Sequence, residues 1–212
     1  MQFNYDPLDE DIAIFGKGGS GKSHAMRELI LKSIKREPYW LFDGDWRYVG
    51  RDGIAQVPIV HEVKDLPYGQ AIFQPYDKSL VTFDDYCKKA FSWSNMVVAV
   101  EEAHLYTGKF KIKSPYFERV VKAGRPKGIS FVIIARRPQM IHNDVLSDAD
   151  HIFCFSMELT SDYEFMAKWI GDKVWLLRPP DQRKKLRDQP AQPAHTGVYY
   201  ETKTGRSELF RL

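Results

Sequence analysis

Only two cysteines, Cys87 and Cys154, occur among the 212 residues of this chain. Both lie in apolar surroundings and neither fits a metal or redox spacing, so zinc clips, thiol–disulfide centres and a disulfide framework are excluded and buried thiols are expected. No hydrophobic run approaches a membrane span, and Met1-Gln2-Phe3-Asn4-Tyr5-Asp6 lacks a basic stretch followed by an apolar one. A protein without a membrane segment, staying inside the cell that makes it, is the expectation. Internal repeats and low-complexity segments are missing too, which excludes solenoids and disordered arrays. Net charge is slight at +3, too small by itself to announce a nucleic-acid partner.

What is present is an ordinary globular composition, 43% hydrophobic and 28% charged, long enough to bury a sizeable core. The apolar run Ile12-Ala13-Ile14-Phe15 leads into Gly16-Lys17-Gly18-Gly19-Ser20-Gly21-Lys22-Ser23, which fits G-x-x-x-x-G-K-[ST]. Glycines let the backbone turn tightly and aim successive N–H groups inward, so the loop becomes an anion nest at the positive end of the next helix. In that pattern Lys22 reaches the β- and γ-phosphates and Ser23 offers a hydroxyl to Mg²⁺. His24 closes the candidate nucleotide-binding stretch and opens a helix expected through Ile34, with Ala25, Met26, Leu29 and Ile30 at helical spacing.

Beyond Lys35-Arg36-Glu37-Pro38, which ends that helix, Tyr39–Phe42 reads as a buried strand closed by Asp43-Gly44-Asp45. Periodicity is weak from Trp46 to Gln70, with an Ile59-Val60 strand fragment, and Ala71–Gln74 is a further strand. Thr82 to Phe91 is expected as a helix capped by Thr82. Met96–Val100 is the clearest buried strand, and it runs straight into Glu101-Glu102-Ala103-His104. Ser114-Pro115 starts a helix that stops at Gly124, and Ile129–Ala135 is a strand ending in Arg136-Arg137-Pro138. His151–Phe155, a helix from Ser161 to Ile170 that Val174–Leu177 extends, a proline-rich charged loop over Arg178–Ala194 and a hairpin of Thr196–Glu201 with Arg206–Arg211 complete the chain.

Alternating strands and helices imply a parallel α/β sheet with helices on both faces, whose ligands bind beyond the carboxyl ends of the strands. Glu101 suits Mg²⁺, directly or through water, and Glu102 suits polarising the water that attacks a γ-phosphate. His104 is equally a packing or cap residue. The second glutamate separates two classes. An ATP hydrolase needs a carboxylate there, whereas a P-loop phosphotransferase, or a nucleotide-regulated switch acting without DNA, does not.

Together with Asp43-Gly44-Asp45, Val97 to His104, Ala123-Gly124-Arg125-Pro126-Lys127-Gly128-Ile129 and Ile134-Ala135-Arg136-Arg137-Pro138, the phosphate loop resembles the layout of the FtsK–HerA superfamily of DNA-pumping ATPases. More narrowly, the short chain resembles the genome-packaging ATPases of tailless icosahedral viruses, including the archaeal turreted viruses. The resemblance covers roughly residues 11 to 155 and also extends to the terminal hairpin. It implies a P-loop NTPase fold of the ASCE, RecA-like type with a five-stranded core, and a single domain over 1–212, with the motor at about 11–177 and the loop and hairpin at about 178–212. It further implies a homo-oligomeric ring, commonly a hexamer, with ATP and Mg²⁺ at subunit interfaces, double-stranded DNA in the centre and viral capsid or portal-vertex proteins as partners. Such a protein works in the host cytoplasm or attached to the virion, without a membrane.

Carried over residue by residue, Lys22, Glu102, Arg125 and Arg136 are the catalytic candidates, and Ser23 and Glu101 the Mg²⁺ candidates. Arg125, with Arg119 as runner-up, is the implied arginine acting across an interface; a surface or DNA-backbone arginine is the plainer alternative. The family's metal-side carboxylate is usually aspartate rather than Glu101. Its sensor is commonly glutamine where Arg136 stands, and Arg137 is the alternative to face the nucleotide. Lys109, Lys111 and Lys113 form a candidate DNA loop, equally readable as a solvated one, in which Phe110 and Ile112 suit packing on a neighbouring subunit. Lys184, Lys185 and Arg187 are weaker candidates, lacking interleaved aromatics.

Overall fold

The computed structural model describes residues 5–31, 34, 37–48 and 57–212. Among these residues nine strands form one sheet in the order β3-β4-β2-β5-β6-β1-β7-β8-β9. The strands are β1 (Ile12–Phe15), β2 (Tyr39–Phe42), β3 (Ile59–Val60), β4 (Ala71–Phe73), β5 (Met96–Val100), β6 (Ile129–Ala135), β7 (His151–Cys154), β8 (Thr196–Glu201) and β9 (Arg206–Arg211). All pairings from β3 through β7 are parallel; β7–β8 and β8–β9 are antiparallel. The expected five-stranded core is present as β2-β5-β6-β1-β7, with β6 lying between the strand that precedes the phosphate loop and the strand that precedes the acidic pair.

Continuous apolar runs produce this sheet because parallel strands are buried on both faces. Along β5, Met96, Val98 and Val100 join one core, while Val97 and Ala99 join the other. The first face is covered by α2 (Leu80–Ser92), α3 (Pro115–Ala123), α4 (Asn143–Asp148) and α5 (Thr160–Ile170), which insert Phe83, Tyr86, Phe117, Val120, Val145 and Met166. Opposite them pack Ala25, Met26, Ile30 and Leu31 of the helix that follows the phosphate loop. Phe131, fully buried on the first face, makes a useful gauge, since truncating such a residue to alanine costs about 3–5 kcal/mol. Cys87 and Cys154 are free, buried thiols. No helix among the described residues is long and apolar enough to cross a membrane.

Several local expectations are corrected. The helix after the phosphate loop is α-helical only over α1 (Lys22–Ala25) and widens into a π-helix over Met26–Leu31. Its expected end at residues 32–36 lies outside the described residues except for Ile34, as does the side chain of Leu29. Helix α2 begins earlier than Thr82, because Ser79 is the cap: its Oγ accepts from the Thr82 N–H while Asp77 accepts from both hydroxyls. Val174–Leu177 does not extend α5, for Gly171 at φ 85° breaks the helix and a 3₁₀ segment follows. Ile112 is buried in the chain's own core rather than held out for a neighbour.

Candidate active site

The phosphate loop sits where β1 ends. Gly16 has φ 152°, and a Cβ there would lie 2.6 Å from Ser20 Oγ and 2.9 Å from Phe155 Cβ, so this position admits only glycine. Lys17 N–H donates to Ser156 O at 2.8 Å, fastening the loop to the end of β7. Inside the loop Lys22 is nearly buried and donates to Lys17 O at 2.8 Å. Burial lowers the Lys22 ammonium to about 8, against the pull of Glu101 and Glu102. Ser20 Oγ is buried without a hydrogen-bond partner among the described residues, an orphan that suits an oxygen-rich ligand such as phosphate. The cleft here, about 260 Å³, is lined by Gly19 to His24 together with Arg27, Arg47, Tyr48 and His195.

Strand order brings the other half of the site alongside. Ser23 Oγ donates to Glu101 Oε1 at 3.1 Å, and the buried Tyr48 hydroxyl donates to the same oxygen at 2.5 Å. Burial raises the Glu101 carboxyl, and the Tyr48 donation and the Arg47 charge oppose that rise. Next to it Glu102 adopts a left-handed backbone, φ 50° and ψ 40°, which turns its side chain away from the strand direction. Glu102 Oε1 accepts from Arg136 Nε and from Arg47 Nη2, both at 2.8 Å. Its other oxygen is buried and carries no hydrogen bond among the described residues, with His104 Nδ1 at 3.5 Å. Burial lowers the pKa of His104, so the ring favours its neutral form.

A hydroxyl and a carboxylate converging at Ser23 and Glu101 are hard oxygen donors of the kind Mg²⁺ takes. Among the described residues there is no group of three or more His, Cys, Asp and Glu able to hold a metal.

The other sequence candidates fall elsewhere. Arg137 points to Asp162 of α5, Nε to Oδ2 3.6 Å, and not to Glu102. Arg125 lies at the amino edge of the sheet, with Nη2 2.9 Å from Asp11 Oδ2 and 2.8 Å from Asp150 Oδ2. Arg119 is exposed on α3 and stacks on Tyr116. Lys109 and Lys111 are exposed, Lys113 Nζ donates to Leu105 O at 3.0 Å, and Phe110 projects into solvent at 88% exposure. Lys185 pairs with Asp172 at 2.8 Å, Lys184 pairs with Glu164, and Arg187 donates to Arg183 O, so the second basic run is engaged within the chain.

No family model matches the sequence. The chain is 25% identical over 162 residues to Protein P9 of the Pseudoalteromonas phage PM2, covering 73% of this chain and 72% of that protein. The genome packaging NTPase B204 of Sulfolobus turreted icosahedral virus 2, in complex with AMPPCP, superposes with a TM-score of 0.75 at 14% identity, covering 96% of this chain and 98% of B204. B204 of Sulfolobus turreted icosahedral virus, a DNA-packaging ATPase, gives 0.70 at 19% identity, with 98% of each chain covered. This chain has the B204 fold. ATPases 2 and 3 of EssC from Geobacillus thermodenitrificans share it with a TM-score of 0.55 at 17% identity, over 93% of this chain but 39% of EssC.

Within this B204 fold, the residues that sequence reasoning missed are Arg47 and Tyr48, which the buried Asp43 places. Asp43 accepts from the Arg47 N–H at 3.0 Å, the Tyr48 N–H at 3.1 Å and Gln74 Nε2 at 2.8 Å. The one available signal was the position of Asp43 at the end of an apolar strand, facing the same edge as the phosphate loop.

Proposed function

We propose that this chain is an Mg²⁺-dependent ATPase that drives double-stranded DNA through a ring of its own copies and so packages a viral genome. Glu102 carries the proposal. It stands at the end of the strand two places from the phosphate-loop strand, anchored by two arginines on one oxygen and with the other oxygen left for a water. In this mechanism water attacks the γ-phosphorus, its proton passes to Glu102, and ADP departs as the leaving group. Lys22 and the loop N–H groups hold the phosphates, and Arg136 stabilises charge that develops on the transferred group. Bound at Ser23 and Glu101, Mg²⁺ would neutralise phosphate charge and orient the β- and γ-oxygens.

Packaging, the finer part of the proposal, is supported by the extent of the fold likeness to B204 and by the sequence relationship to a phage protein. Lys109 and Lys111, beside the exposed Phe110, are proposed to meet the DNA backbone from a pore-facing loop. Capsid or portal-vertex proteins are the expected docking partners, in the host cytoplasm or on the virion.

The test measures hydrolysis with and without duplex DNA in the wild type, Lys22→Ala and Glu102→Gln, beside oligomeric state by light scattering. DNA-stimulated hydrolysis should fall by about 10²–10⁴ in Glu102→Gln with ATP binding retained, and Lys22→Ala should lose binding. Wild-type rates in both variants would overturn the mechanism. Phosphoryl transfer to a small acceptor without DNA stimulation would replace it with the phosphotransferase alternative.

A further inference from the structure

His104 lies two residues past Glu102, in the 3₁₀ turn Ala103–Leu105 that closes the acidic strand end. The turn is firmly held. Leu105 N–H donates to Glu102 O at 2.9 Å, Tyr106 N–H to Ala103 O at 3.0 Å, and Lys113 N–H to Tyr106 O at 3.1 Å. Ala103 is fully buried, and Tyr106 stacks on Phe83 of α2 with ring centroids 4.0 Å apart. The left-handed backbone of Glu102 is costly for a residue with a side chain and persists only where the surroundings impose it. Here two side chains of one turn face each other, with Glu102 Oε2 and His104 Nδ1 3.5 Å apart.

These two atoms lack the same thing. Both are buried, and neither has a hydrogen-bond partner among the described residues. Their separation lies beyond the ordinary range of a direct hydrogen bond, so both call for a third group. The charges around the ring narrow what that group is. Burial disfavours a charge on His104, Glu102 favours one, and Arg136, Lys113 and Arg137 side with burial. A neutral imidazole keeps one ring nitrogen as an acceptor. The tautomer protonated at Nδ1 would donate straight to Oε2, a bond that the 3.5 Å gap does not make. Two acceptors aimed at one small space select a donor with two hydrogens, and water is that donor.

We propose that His104 is a second catalytic residue of the hydrolysis, taking one hydrogen of the attacking water at Nδ1 while Glu102 Oε2 takes the other. The inference rests on the ATPase reading above and adds the group that aims its nucleophile. A water that donates both hydrogens keeps its lone pairs free, and one of them points at the γ-phosphorus. As the new O–P bond forms and the bond to the ADP oxygen breaks, the hydrogen facing Glu102 transfers to its carboxylate. The hydrogen held by His104 stays on the oxygen and leaves with inorganic phosphate. At ordinary hydrogen-bond lengths, two acceptors of one water stand about 4.5 Å apart. The ring therefore swings outward by about 1 Å as substrate binds, an adjustment common to catalytic contacts.

Three substitutions test it. Asparagine can place an amide oxygen where Nδ1 stands, glutamine carries it one bond further, and alanine removes it. Steady-state hydrolysis and calorimetric ATP binding are measured for His104→Asn, His104→Gln and His104→Ala, and for His104→Ala combined with Glu102→Gln. The expected kcat is about 10²-fold lower in His104→Gln and His104→Ala and within about fivefold of wild type in His104→Asn, with KM and Kd for ATP unchanged. The double variant should be no more than about threefold slower than Glu102→Gln alone, because both groups serve one water. Several results overturn the assignment: His104→Asn no better than His104→Ala, wild-type rates in all three, ATP affinity lost in step with rate, or multiplied losses in the double variant. A wild type that hydrolyses no ATP overturns the ATPase reading itself, and the role of His104 with it.

Discussion

Arg136, at the end of β6, donates its Nε–H to Glu102 Oε1 at 2.8 Å at the end of β5. Arg47, after β2, reaches the same oxygen at the same distance and is itself shared with Asp45 Oδ2 at 2.8 Å. Three strand ends thus meet on one carboxylate. Two charge-assisted hydrogen bonds fix its orientation, and the oxygen that is left faces the role of proton acceptor. The arginines differ in surroundings: Arg47 lines the phosphate cleft, while Arg136 is not among its lining residues.

Replacing Arg136 with glutamine is expected to lower kcat by about 10²-fold while KM for ATP barely moves, because the lost charge acts on Glu102 and on the transition state. Arg47→Gln is expected to raise KM as well, since Arg47 borders the phosphates. Steady-state hydrolysis at several ATP concentrations separates the two. The assignment fails if Arg136→Gln changes only KM.

Tyr48→Phe removes the hydroxyl that donates to Glu101 Oε1. Losing a hydrogen bond to a charged acceptor costs roughly 1.5–3 kcal/mol, so half-activation should need about tenfold more Mg²⁺ or above. Burial already raises the Glu101 carboxyl and the Tyr48 donation restrains that rise. The acid limb of the rate profile should consequently move to higher pH in the variant. Mg²⁺ titrations of hydrolysis at two pH values check both effects.

The parts of this site that are contiguous in the chain were legible in its sequence: Gly16 to Ser23 after an apolar strand, and Glu101-Glu102 after another. The terminal hairpin was legible too, since its turn is local. Arg47 and Tyr48 were not, because their importance comes from β2 lying beside β5, a neighbour relation that no local pattern encodes. Arg183 was not singled out, since its five acceptors are main-chain carbonyls of an irregular loop, which no local pattern announces. Arg125 was recognisable only as a glycine-arginine segment; its partners Asp11 and Asp150 are remote in sequence.

Lys22 gives a pH dependence of definite sign. Burial brings its ammonium from 10.5 to about 8, so above about pH 8 the folded protein without nucleotide increasingly holds a neutral amine that phosphates attract less. ATP affinity should therefore fall as pH rises through that value. Stability of the nucleotide-free protein should change in the opposite direction, rising between about pH 8 and pH 10.5, because the unfolded chain binds more protons there. Lys22→Met should flatten that stability slope. Calorimetric ATP binding and urea denaturation across this range provide the check, and an affinity constant through about pH 10 would refute the assignment.

Arg125 bridges Asp11 and Asp150 at the amino edge of the sheet, and Asp11 Oδ1 also accepts from the Phe131 N–H at 2.7 Å. Burial pushes the Asp11 carboxyl up to about 7, against the pull of that N–H and of Arg125, and the like charge of Asp150 adds to the rise. A raised carboxyl keeps its proton in the folded state, so its contribution to stability is lost as pH rises from about 4 through 7. Arg125→Ala leaves both carboxylates without their shared cation. The expected cost is about 2 kcal/mol after allowance for the half-exposed guanidinium, greatest near pH 8 and smaller near pH 5, where Asp11 is protonated. Urea denaturation at the two pH values measures it. An arginine acting across a subunit interface predicts the reverse pattern, with stability of the isolated chain intact at both pH values and hydrolysis lost only in the assembled ring. Mixing Arg125→Ala subunits with Lys22→Ala subunits and assaying hydrolysis distinguishes that role from a brace, since only a trans-acting residue lets one defective subunit complement the other.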